Sequence, residues 1–207
     1  MEQQNLEPVL KDVRYAYRLI AEYQRRALDT MATLAEQFDG ATFFGWEPVH
    51  HASALRTDTN PFEVTPWRML PLLFSSILFE LEAEEWPAKS HLLEINHCAD
   101  SGVEGVEGQY LPDLEPSDLP DPGGGQSTVS LYLWVQTGEA KLHWYNDFWA
   151  VSSLPYPPDG EKIEGQSLGV RGFGREFDIA ALHERPEIEG AARSFQEGAA
   201  EALGIRL

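Results

Sequence analysis

One stripe of apolar side chains runs through the first 38 residues. Leu6, Leu10, Val13, Tyr17, Ile20, Ala27, Met31, Leu34 and Phe38 follow one another at alternating steps of four and three, with Gln24 at the one polar position. Residues spaced this way share a face only in a helix, so 6–39 is predicted as one long amphipathic helix. Asn5 is placed to cap it, Pro8 falls in the first turn, and Gly40 is placed to stop it. About 34 residues of helix span roughly 50 Å, longer than a domain of this size needs to cover its sheet. Either the helix kinks, or part of its stripe pairs with another subunit in a homodimer.

After Gly40 the periodicity changes from that of a helix to that of strands. Residues 41–50 are rich in aromatics, and 72–82 end in clean alternation, with Ile77, Phe79 and Leu81 opposite Leu78, Glu80 and Glu82. Residues 91–98 form a shorter strand candidate, and 129–136 are nearly continuous in apolar residues, as suits a central strand. Thr137-Gly138 signals a turn, which makes 140–151 the expected hairpin partner. The chain closes on a helix, with Pro186 in its first turn, a stripe of Ile188, Ala192, Phe195, Ala199 and Leu203, and Gly204 to end it. Successive strands without helices between them call for an antiparallel sheet. The expected fold is a single α+β domain over 1–207: a long N-terminal helix, an antiparallel sheet of about five strands, and a C-terminal helix packed on the sheet.

Between the third and fourth strands lies an acidic, Pro- and Gly-rich loop, 99–126, with two Val-Glu-Gly units, two Leu-Pro-Asp units and Gly123-Gly124-Gly125. A connection this long inside a compact domain is functional or disordered. It also holds much of the charge. From Phe79 to Asp121 twelve carboxylates face the single base Lys89, so this stretch carries −11 of the chain's net −19. Such a belt repels nucleic acid and anionic membrane and favours cationic surfaces. No apolar run reaches the roughly 18 residues that span a bilayer, the N-terminus lacks a basic start and an apolar core, and Cys98 stands alone. Together these predict a cytoplasmic protein, away from membranes and without disulfides.

The motifs that could carry chemistry each lack their required setting. Gly165-Gln166-Ser167-Leu168-Gly169 spells a hydrolase elbow, but Pro- and Gly-rich sequence surrounds it where a strand and a helix are needed. Gly169, Gly172 and Gly174 with Arg171 and Arg175 could approach a phosphate, yet no βαβ unit or Walker lysine accompanies them. His50 and His51, or His97 and Cys98, would point to opposite faces of a strand; His51, His143 and Asp147 are the remaining metal candidates from distant segments. No cofactor or resident metal is expected, and the reading leans away from an enzyme. The aromatics Trp134, Trp144, Tyr145, Phe148 and Trp149 crowd sixteen residues, which suits a binding hot spot or a ligand pocket.

The expected function is therefore a non-catalytic acidic interaction protein of the immunity, inhibitor or accessory type. Glu104, Glu107, Asp113, Glu115, Asp118 and Trp149 would meet a basic protein partner, with no direct contact to nucleic acid. The alternatives are a small-molecule sensor, with a pocket at Trp46 and Trp144 and Arg171 or Arg175 at its mouth, or an enzyme whose site is assembled from distant residues.

Overall fold

The structure is a computed structural model that describes residues 6–47, 73–82, 90–103, 120–137, 142–149, 154–165 and 169–207. Helix α1 (Glu7–Ala35) is followed by β1 (Thr42–Glu47), β2 (Phe74–Glu82), β3 (Ser90–Cys98), β4 (Thr128–Gln136), β5 (Lys162–Gly165), β6 (Val170–Asp178) and helix α2 (Arg185–Leu203). The six strands form one sheet in the order β1-β2-β3-β4-β6-β5, every neighbouring pair antiparallel. The α+β architecture holds, with six strands in place of five.

Both helices lie on one face of the sheet. Alternation along β3, β4 and β6 sends Leu93, Ile95, Leu131, Leu133 and Phe173 to that face, where they meet Met31 and Leu34 of α1 and the full α2 stripe. Phe195 is completely buried between Phe38 (ring centroids 6.0 Å apart) and Phe173 (5.6 Å). Pro186 sits in the first turn of α2, and Gly204, at φ 67°, takes the left-handed conformation that ends the helix.

Helix α1 starts one residue late, with Leu6 rather than Asn5 at the cap position; Asn5 lies outside the described residues. The helix runs unbroken from Glu7 to Ala35, and its stripe is covered only in part. Ala27, Met31 and Leu34 are buried on the sheet, and Phe38 is buried just beyond the helix. Every residue from Leu6 to Glu22 is exposed. Tyr23 marks the crossing point: its hydroxyl pairs with His97 Nε2 at 2.8 Å, next to the end of β3. The seventeen residues before it therefore form an arm that runs past the sheet end for about 25 Å, at 1.5 Å per residue.

The opposite face corrects two expectations. Residues 144–149 are a single π-helical turn, not a strand paired with β4; the neighbour of β4 on that side is β6. Trp144 and Phe148 are four apart, a spacing that a helical turn and a strand both place on one face, and here the turn lays both rings on the sheet near Trp134. The glycine- and arginine-bearing stretch considered for a phosphate belongs, from Val170 on, to β6. Gly172 and Gly174 are small because other groups lie over them: a Cβ at Gly172 would come within 2.6 Å of the Trp134 ring, and one at Gly174 within 2.7 Å of the Pro157 carbonyl.

Candidate functional site

Strands β3 and β4 are neighbours, so the acidic connection leaves and re-enters the sheet at the same end. Its two roots are tied together: Ser101 N–H donates to Gln126 O at 2.9 Å, Gln126 N–H to Ser101 Oγ at 2.9 Å, and Ser127 Oγ to Ala99 O at 2.6 Å. Asp100 accepts from Gly102 N–H (2.9 Å) and Asp121 from Gly123 N–H (2.7 Å). β6 ends here too. Asp178 accepts from Ala180 N–H at 2.8 Å, Asp159 from Glu176 N–H at 2.9 Å, and Glu176 from the hydroxyls of Ser130 and Thr128. These make five carboxylates at one end of the sheet, all exposed except half-buried Asp100. None belongs to an ion pair among the described residues. Each aspartate is held by a backbone amide rather than a cation, which fixes its position and leaves its charge uncompensated.

The expected contact residues Glu104, Glu107, Asp113, Glu115 and Asp118 lie outside the described residues, between the roots at Val103 and Pro120. Two other members of the acidic belt point elsewhere. Glu80 is half-buried on the sheet surface. Glu94 is 1 % exposed in the middle of the face opposite the helices. Its Oε1 accepts from Ser76 Oγ (2.9 Å) and Tyr156 OH (2.8 Å), and its Oε2 from Trp134 Nε1 (2.9 Å). Burial of the Tyr156 hydroxyl, reinforced by the Glu94 charge beside it, holds that phenol well above its ordinary range. Glu94 thus organises the sheet and is lost to the external charge. Next to it a polar row, Ser76, Asn96, Ser130 and Glu176, crosses four strands towards the acidic end.

The residues proposed as a pocket are not brought together. Trp46 pairs with Ile77 on edge strand β1, on the helix-covered side, and is 56 % exposed. Trp144 is buried on the other face. Arg171 and Arg175 belong to β6, four strands from β1; Arg175 donates to Ser194 Oγ of α2 at 3.0 Å and lies over the Phe177 ring. The side chain of Trp149 lies outside the described residues. Of the hydrolase-like motif, Gly165 ends β5 and pairs with Val170 of β6; Gln166, Ser167 and Leu168 lie outside the described residues. His143 and Asp147 bond each other at the start of the π turn, His143 N–H to Asp147 Oδ2 at 2.8 Å, while His50 and His51 lie outside the described residues. No group of three or more His, Cys, Asp or Glu among the described residues is placed to hold a metal, and no described helix is long and apolar enough to cross a membrane.

At the foot of the arm, His97 is 2 % exposed, and burial lowers its imidazole to about 4. The ordinary value is about 6.5, so below pH 6.5 the unfolded chain takes up a proton that the folded chain refuses. Stability contributed by neutral His97 is complete above pH 6.5 and declines as pH falls towards 4, by about 3 kcal/mol in all. Urea titrations of wild type and His97→Gln at pH 7 and pH 5 should show a smaller pH loss in the variant; equal losses would mean that His97 charges freely in the folded chain.

Nothing local in the sequence marks the carboxylates at 159–178 as part of this end, because they reach it only through the β6 pairing. The Leu92-x-Glu94-x-Asn96 alternation did hint at a polar face on β3, but not that Tyr156 and Trp134 would close over it. Comparison with known proteins adds one relation. Protein PM0109 of Pasteurella multocida (strain Pm70), itself described as uncharacterized, is 20 % identical over 213 residues that cover all of both chains. No solved structure matches the chain. The PM0109 family model matches residues 3–204, nearly the whole length, and on that ground the chain belongs to the PM0109 family.

Proposed function

We propose that this protein is a non-catalytic interaction protein that presents its acidic sheet end to a basic protein partner. The observation that carries this reading is the set of carboxylates around the roots of 104–119, fixed by backbone amides and hydroxyls and free of ion pairs among the described residues. Five more carboxylates, Glu104, Glu107, Asp113, Glu115 and Asp118, are joined to those roots with no base among residues 104–119. A concentrated field of one sign accelerates and orients encounter with an opposite surface, and it disfavours phosphate backbones and anionic lipid. The setting is cytoplasmic, in keeping with one buried, unbridged cysteine.

The test uses immobilised full-length chain beside a variant with Glu104→Gln, Glu107→Gln, Asp113→Asn and Glu115→Asn. Cell extract should yield basic proteins that stay on the wild type at low salt, leave at high salt, and fail to bind the variant. Equal recovery on both chains would contradict the proposal.

A further inference from the structure

We propose that two copies of this chain pair through antiparallel α1 arms. The stripe Leu6, Leu10, Val13, Tyr17, Ile20 is 36–73 % exposed. Its alternating four-three spacing is the seam of a two-stranded coiled coil, for which an identical seam is a fitting partner. Farther along α1 the same stripe is buried against the sheet through Ala27, Met31 and Leu34.

That continuity decides the orientation. Whatever covers the arm must lie in line with the sheet and beyond its end. A parallel partner would carry its own sheet into the space of the first, whereas an antiparallel partner leaves the two sheets at opposite ends of the paired arms. Centring the pair near Tyr15 stacks Leu10 on Ile20 and Val13 on the larger Tyr17 of the second copy, with Leu6 reaching Gln24.

The charge of the arm itself admits a second copy. The arm from Leu6 to Glu22 is neutral, with Lys11, Arg14 and Arg18 balancing Glu7, Asp12 and Glu22, in a chain of net −19. Pairing there buries no net charge at the seam; the arm leaves the sheet at the acidic end, so the two acidic ends face each other across the paired arms, and salt relieves that repulsion. This inference stands apart from the proposed function: binding of a basic partner weakens as salt rises, while arm pairing strengthens.

Sedimentation velocity of the full chain should show a dimer at roughly tens of micromolar, with a larger dimer fraction at higher salt. Val13→Glu with Tyr17→Glu, both at exposed positions, should weaken dimerisation about a hundredfold or more by placing charge in the seam, while leaving the thermal transition of the body unchanged at low concentration. Orientation is read by oxidising a mixture of Leu10→Cys and Ile20→Cys chains. Antiparallel arms give the mixed disulfide, and predominant Leu10→Cys homodimers would overturn the orientation. A wild type that stays monomeric across this concentration range at high salt would overturn the pairing itself.

Discussion

Phe195→Ala should lower the free energy of unfolding by about 3–5 kcal/mol, the cost of removing a fully buried aromatic and leaving a cavity behind. Phe195 is where the three layers of the helix side meet. It touches Phe38 just past α1 and Phe173 on β6, with Ala192 and Ala199 of its own helix also fully buried. The space cannot collapse easily, because Gly198 already lets α2 approach the sheet so closely that a Cβ there would come within 2.9 Å of the Phe173 ring. Leu should recover part of the loss, since it restores volume without the ring contacts. Urea unfolding followed by tryptophan fluorescence measures both variants. A loss below about 1 kcal/mol for alanine would mean that α2 is not docked as described.

Glu94→Leu should cost roughly 3 kcal/mol despite replacing a charge with an apolar group of similar size. Three neutral donors converge on that carboxylate: the Ser76 hydroxyl, the Trp134 indole N–H and the Tyr156 hydroxyl. Ser76 can rotate, and the Tyr156 ring, 41 % exposed, can swing its hydroxyl to water. Trp134, at 3 % exposure, cannot, and is left with a buried unsatisfied donor. Glu94→Gln keeps one acceptor oxygen but sets an amide donor against another donor, so its loss should be intermediate. Trp134→Phe in the Glu94→Leu background should recover part of the stability, a coupling that a double-mutant cycle quantifies. Additive losses would show that Glu94 and Trp134 act independently.

Helix α1 was legible because a strict four-three alternation has no strand interpretation, and even its excess length over the sheet could be counted. β2, β3 and β4 were legible from alternation and apolar runs. The π turn was misread because Trp144 and Phe148 satisfy both periods at once. β6 was misread because Gly172 and Gly174 look permissive in sequence, while their reason, the Trp134 ring and the Pro157 carbonyl lying over them, comes from 38 residues before and 17 residues before respectively. The acidic end was half legible. The connection between β3 and β4 announced its charge by composition. The contribution of Asp159, Glu176 and Asp178 depended on strand order, which local periodicity does not encode. Glu94 was counted as external charge because burial is a property of the neighbours, and Tyr156 is 62 residues away.

On the proposed function, the carboxylates at the acidic end of the sheet and those along 104–119 together steer a basic protein onto this chain. Stopped-flow association with the basic protein recovered on the immobilised chain, measured across ionic strength, tests it most directly. The association rate constant should fall steeply as salt rises, and both the rate at low salt and the slope should collapse when Glu104, Glu107, Asp113 and Glu115 are neutralised. A rate constant independent of salt, and equal in wild type and variant, would contradict the account.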